Sequence, residues 1–232
     1  KSLHVFGVSP AWRMAGGQFR FNFGTPKNAG ANPPKGAVIN YYVKDVNDSL
    51  KGSISIMDRN HKVIKTYSTD GKENKFDLVK GMNQFVWDLQ YPDAEKIDGM
   101  ILWTGVPGSI LAPPGQYFYS MNIGKDSAAG DFTVKADPNY KCSQADYDAQ
   151  FEFLQSVQGK FNEVQKGIKN IRTLRGQLNE FTARLGKDCP KEVKQAADSI
   201  NKQLTAIEET LYQTKAKSGQ DVLNFPIRLN DK

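Results

Sequence analysis

Residues 81–93 read GMNQFVWDLQYPD. A glycine turn leads into alternating apolar and polar residues, and then to an acid and a proline. Alternation puts Phe85, Trp87 and Leu89 on one face of a strand and turns Asp88 to the other. A single Trp-Asp pair does not make a propeller blade, because no repeat of about 40 residues surrounds it. The stretch therefore reads as a half-buried strand. Trp87 is its core anchor, Asp88 faces solvent or a neighbouring amide, and Tyr91-Pro92-Asp93 carries the chain off the sheet.

Similar segments flank it. AVINYYVK (37–44) is β-branched and aromatic, and SISIMD (53–58) and KVIKTYS (62–68) bracket Arg59-Asn60-His61 as a hairpin. KFDLV leads through Lys80-Gly81 into the opening stretch. Pro113-Pro114-Gly115 turns into QYFYSMNIG (116–124), where Tyr117 is a further core anchor, and DFTVKAD (131–137) completes the set. About seven short strands separated by turn signals predict an immunoglobulin-like antiparallel β-sandwich over residues 33–140. Residues 1–32 read as a connecting segment. Phe19, Phe21 and Phe23 form one short strand within it, followed by a long run to Pro33-Pro34.

Near residue 140 the period changes. Ser143-Gln144-Ala145-Asp146 is an N-terminal helix cap. Apolar residues then recur at Phe151, Leu154, Val157, Phe161, Val164, Ile168, Ile171, Leu174, Leu178, Phe181 and Leu185, in steps of three and four. Gly186 and Pro190 end that helix. A second stripe runs through Val193, Ala197, Ile200, Leu204, Ile207 and Leu211. The short connection predicts an antiparallel helical hairpin within residues 141–232, so the fold class is α+β with separate halves. At 1.5 Å per residue the helices are about 65 and about 37 Å long, so the second cannot cover the first. The remainder of the first helix must find the sandwich, a second copy or a further segment. An unbroken first helix also argues against a bond between Cys142 and Cys189, because a disulfide needs Cα atoms within about 7 Å.

Composition excludes more than it assigns. Hydrophobic residues are 39% and aromatics 11% of the 232 residues, enough for a core. The net charge is +6, but Lys and Arg are interleaved with acids, which disfavours a nucleic-acid partner. No apolar run is long enough to insert in a membrane. His4 and His61 have no ligand-spaced companions, so no metal site is expected. Asp45-Val46-Asn47-Asp48 reads as an Asx-rich turn rather than a calcium loop. No nucleophile elbow, phosphate loop or dinucleotide fingerprint occurs, and no catalytic residue or cofactor is expected. Turn acids such as Asp58, Asp93 and Asp98 read as cappers. GMILWTGVPGSILAPPG (99–115) carries Trp103 in a long loop. That tryptophan either plugs the open end of the sandwich, touches a neighbouring domain or stacks on a sugar ring. Trp12 is a second candidate for stacking.

NPPKGAVINYYVKD (32–45), SISIMDRNHKVIKTYS (53–68), the opening stretch, APPGQYFYSMNIG (112–124) and FTVKADPNY (132–140) occur in this order. Together they resemble the C-terminal region of exported bacterial sortilin-like β-propeller proteins of the BNR-repeat, glycosyl-hydrolase-like kind. The hairpin and FVWDL are also similar to the Ig-like domain of flagellar hook-capping proteins. In the propeller family the sandwich is followed by a helical region similar to residues 149–178 and by a segment similar to FPIRLNDK (225–232). The resemblance implies a module downstream of a propeller, in a protein exported to the periplasm or cell surface of a bacterium. The sandwich would brace that preceding domain, and the helices would dock on it, on a partner or on a second copy. No family catalytic residue maps onto this chain. The starting Lys1 and the closing LNDK fit a piece of a longer protein. A carbohydrate-binding module using Trp103 or Trp12 is the alternative function.

Overall fold

The computed structural model describes residues 2–14, 28, 30, 33–47, 49–103, 105 and 107–232. The chain divides into two compact units. The first comprises Lys1–Pro92 and Ser109–Glu152, and the second Asp93–Gly108 and Phe153–Lys232.

The first unit is a sandwich of eight strands: β1 (Leu3–Val5), β2 (Ala11–Arg13), β3 (Ala37–Val43), β4 (Gly52–Met57), β5 (Val63–Ser68), β6 (Gly81–Trp87), β7 (Gly115–Ile123) and β8 (Asp126–Ala136). One sheet has the order β1-β3-β6 and the other β2-β8-β7-β4-β5. All pairs are antiparallel except β2 with β8. The N-terminal stretch thus splits, giving one strand to each sheet, within an immunoglobulin-like connectivity. Residues 3–5 and 11–13, expected as part of a connecting segment, are edge strands. They are only three residues long, too short for an alternation signal. The strand expected around Phe19–Phe23 lies outside the described residues.

Aromatic side chains join the sheets. Trp87 is fully buried, its ring centroid 5.2 Å from that of Tyr117 on β7 and 5.9 Å from that of Phe132 on β8. Its indole N–H donates to the Gln90 carbonyl at 3.2 Å. Phe85 packs edge-on against Tyr67, with centroids 4.8 Å apart. Gly36 has φ +136°, and a Cβ there would lie 2.0 Å from the Trp87 carbonyl oxygen, so only glycine lets the chain pass there. Strand β6 ends at Trp87, two residues earlier than the alternation suggests. Leu89 reaches the core through a left-handed turn instead, at φ 62° and 3% exposed. That turn is held by the Ala112 N–H to the Leu89 carbonyl, and by the Gln90 N–H to the Asp88 carboxylate. Asp88 is therefore a local cap.

Tyr117, near the start of β7, donates its hydroxyl to the Pro113 carbonyl at 2.8 Å. This is the tyrosine corner of immunoglobulin-like sandwiches. Burial pushes the Tyr117 phenol well above its ordinary pKa, so the donor proton is held at any physiological pH. The β4–β5 hairpin closes as expected. Asp58 accepts from the Asn60 and Lys62 amides, and His61 takes φ 58° and packs on Phe118. Asp45 pairs with Lys80 and Asn47 caps Ser49, an Asx turn, while Asp48 lies outside the described residues.

Helix α1 (Gln144–Leu185) begins in the first unit. Ser143 and Asp146 form a reciprocal cap, each side chain accepting the other's amide proton. Gly186, at φ 56°, ends the helical run, and α2 (Lys191–Leu211) follows Pro190. Both cysteines are free. Within the second unit α1 and α2 form an antiparallel hairpin. Arg172 bonds Glu208, Arg175 bonds Thr205 and Asn201 bonds Asn179, so each step forward on α1 is a step back on α2. The last residues form short 3-10 turns at Asp221–Asn224 and Leu229–Asp231.

Replacing Trp87 by Ala should lower the stability of the sandwich by about 3–5 kcal/mol, because it empties the contact between the sheets. Tyr117→Phe, which removes only the corner hydroxyl, should cost about 1 kcal/mol. Urea unfolding of the two variants checks both values.

Candidate functional site

The second unit carries the features that the sandwich does not use. Residues 93–108, expected to belong to the sandwich and to fold over its open end, group with the helices instead. Ile97 and Leu102 are buried with Ile168 and Tyr212, against Met100, Phe161, Val164 and Leu211. Polar bonds tie the same loop down. The Glu95 amide donates to Asn162 Oδ1, the Ile101 amide donates to the Tyr212 hydroxyl, and Lys169 pairs with Glu95 at 2.7 Å. Here α1 has outrun the end of α2, and the loop supplies the missing apolar cover.

The hairpin is locked by one buried acid. Glu208 is 3% exposed and accepts from Arg172 Nε and Arg175 Nη1, both at 2.8 Å. Burial pushes the Glu208 carboxyl up. The two guanidinium groups more than offset this and hold it below the ordinary range. Arg172 also lies over the Tyr212 ring at 5.6 Å. Sequence periodicity overlooked Glu208. Its signal is an acid beside the apolar stripe, on the face that meets two arginines.

The stripes meet in the hairpin through Ile171, Leu178, Leu185, Val193, Ala197, Leu204 and Leu211, but six other members are exposed. Leu154 and Val157 are 39% and 50% exposed, and Leu174 and Phe181 are 46% and 47%. On α2, Ile200 and Ile207 are 41% and 51% exposed. The reason is geometric. A heptad stripe spans a wide arc of the helix, and one partner helix covers only part of it. The seam holds Ile171, Leu178 and Leu185 of α1 and Val193, Ala197, Leu204 and Leu211 of α2, all buried or half-buried, with the Arg172–Glu208, Arg175–Thr205 and Asn179–Asn201 bonds beside them. At 100° per residue, Leu174 and Phe181 lie to one side of that seam, and Ile200 and Ile207 lie to the same side in the antiparallel register. The hairpin therefore presents one apolar face. Its borders carry Asn170, Gln177 and Arg184 on α1 and Ala196, Gln203 and Thr210 on α2, with Arg184 the one charged group among them. An apolar centre depleted of charge is the composition of a protein interface core.

The two tryptophans proposed for stacking are both outside the core. Trp103 is 52% exposed, while its neighbour Leu102 is the buried residue, so Trp103 does not plug the sandwich. Its amide donates to Asp231 Oδ2 at 3.2 Å. Trp12, on β2, is 46% exposed, and Lys135 Nζ lies 5.4 Å from its ring centre, so one ring face is already taken by a cation. His4 packs against Phe6 on the β1 side of the sandwich. Among the described residues no group of three or more His, Cys, Asp or Glu could hold a metal ion. No described helix is long and apolar enough to cross a membrane.

No protein-family model matches the chain, and neither does any curated protein. Among solved structures, CopC from Methylosinus trichosporium OB3b aligns over 61% of this chain and 99% of that one, at 11% identity and a TM-score of 0.27. An overlap that low carries no argument about fold or function.

Because the Glu208 pKa is lowered on folding, its contribution to stability is present above the unfolded carboxylate pKa and is lost as pH falls through the folded one. Glu208→Gln at neutral pH should cost the helical unit about 2 kcal/mol. That is less than a fully buried pair would lose, since both guanidinium groups keep about a third of their surface in water. The gap between wild type and Glu208→Gln should close in acid, as measured by thermal unfolding across a pH series.

Proposed function

We propose that this chain is a non-catalytic interaction module whose docking element is the apolar face of its helical hairpin. The observation behind this reading is the face itself: Leu174, Phe181, Ile200 and Ile207, each about half exposed, among mostly uncharged neighbours. Monomeric proteins rarely leave such a patch contiguous unless something covers it. The polar side chains that do bear charge here have structural employment. Asp58 and Asp88 cap turns, Asp93 pairs with Lys96, and Glu208 locks the helices.

The resemblance to the C-terminal region of sortilin-like propeller proteins extends the proposal. In that setting the sandwich braces the preceding propeller, the parent is exported to the periplasm or cell surface, and the hairpin docks on the propeller or on another protein. A photo-crosslinking amino acid at position 181 or 200, introduced in the parent protein in its own cells, tests the docking element. A single defined adduct, identified by mass, is expected. Recovery of uncrosslinked protein alone from both positions would end the reading.

A carbohydrate-binding role is the second reading, favoured by Trp103. Its ring is exposed and its amide is tied to Asp231. An exposed aromatic face of this kind can stack on a sugar ring. Titration with soluble glycans should then show binding that falls at least tenfold in Trp103→Ala. Equal binding by both proteins, or none by wild type, would remove this reading.

A further inference from the structure

We infer that residues 93–103 form a strap over α1 that opens and closes while both helices stay folded, and that the buried amide of Gln165 keeps its closed state marginal. The strap is separate from the face bearing Leu174, Phe181, Ile200 and Ile207, so its opening does not depend on what covers that face.

The strap lies directly over Gln165. At about 100° per residue, Asn162 is about 60° to one side of Gln165 on α1, Arg172 is about 20° to that side, and Lys169 is about 40° to the other. All three hold the strap. The Glu95 amide donates to Asn162 Oδ1 at 2.8 Å, Arg172 Nη1 donates to the Asp98 carbonyl at 3.4 Å, and Lys169 pairs with Glu95 at 2.7 Å. Gln165 sits among these contacts and is fully buried, yet neither its Nε2 nor its Oε1 has a partner among the described residues. Closing the strap therefore strips an amide of water and returns no hydrogen bond to it, a penalty that native structures seldom carry. Lifting the strap rehydrates both ends of that amide.

What holds the strap down is separable from the helices. It contains no helix or strand, and among the described residues no backbone-to-backbone hydrogen bond joins it to α1 or α2. Its apolar anchors are Ala94, Ile97 and Leu102, all buried. The Ile101 amide rests on the Tyr212 hydroxyl at 2.9 Å. The Lys169–Glu95 pair keeps 45% and 38% of its side chains in water and adds little. A segment with few buried contacts and no shared ladder is the kind that opens by itself, below the cost of unfolding the whole unit.

Opening uncovers Phe161, Val164, Ile168 and Tyr212, which the closed strap packs with Ile97 and Leu102. An apolar stretch of α1 is thus alternately covered and shown by a segment of the same chain. Gln165 sets the balance. An apolar side chain of the same length at this position would remove the penalty of closure and hold the strap shut.

Native-state hydrogen exchange of the chain, followed amide by amide by NMR, tests the inference. The Glu95 and Ile101 amides are each bonded to a helix side chain, so they report the strap's contact with the helices. They should share one protection factor, at least about a hundredfold below that of the Ile168 amide inside α1. Gln165→Met keeps the length of the side chain and removes its amide, and it should raise the protection of both about tenfold. If that variant loses helix by circular dichroism, Gln165→Leu replaces it. Protection of Glu95 and Ile101 equal to that of Ile168 would overturn the opening strap. Unchanged or lower protection of the two in the variant would overturn the role of Gln165.

Discussion

A two-helix layer has no inside. Two antiparallel helices share one seam, and whatever apolar surface does not fit in that seam must be covered from elsewhere or stay in water. This constraint organises the second unit. Where α1 outruns α2, the loop at 93–108 covers it with Ile97 and Leu102. Where α1 and α2 run side by side, the seam mixes apolar residues such as Ile171, Leu178, Ala197 and Leu204 with polar ones. It is held by Glu208 between two arginines and by the Asn179–Asn201 bond. Leu174, Phe181, Ile200 and Ile207 do not fit in that seam, and they form a surface.

The polar bonds of the seam set register rather than supplying much free energy. Buried ion pairs recover their desolvation cost only with good geometry, and their best-attested use is to specify one arrangement. Glu208 with Arg172 and Arg175 does this, since a slip of one turn would strand a buried carboxylate. Apolar residues confined to one flank gain from burial only when another surface arrives. The sandwich contrasts with this. Trp87, Tyr117 and Phe132 fill the space between its own sheets.

Much of this was legible in the sequence, and the exceptions have physical causes. Strands β3 to β7 follow from alternation and turn residues, and both helices follow from the heptad steps and from Ser143, Gly186 and Pro190. Trp87 and Phe85 are core residues for the reason that alternation states. Leu89 is buried by a different route, a left-handed turn that no periodicity records. Strands β1 and β2 are too short to show a pattern, and they exist because long neighbours offer them an edge. The loop at 93–108 misled because proximity in sequence favoured the sandwich, whereas its apolar residues fit a gap that only the helix lengths create. Trp103 misled similarly, since a large aromatic in an apolar loop suggests burial, yet Leu102 takes the inward position. The stripes marked the right residues but not their exposure, because periodicity counts apolar positions and does not count partners.

The central claim is that the flank bearing Leu174, Phe181, Ile200 and Ile207 is a surface and not part of the monomer's core. The unfolding midpoint of a Leu174→Ser, Ile207→Ser double variant, measured at dilution where only monomer is present, tests this most directly. The account predicts a stability within about 0.5 kcal/mol of wild type, as for surface substitutions. A loss of about 4 kcal/mol or more, the scale of emptied core positions, would contradict it.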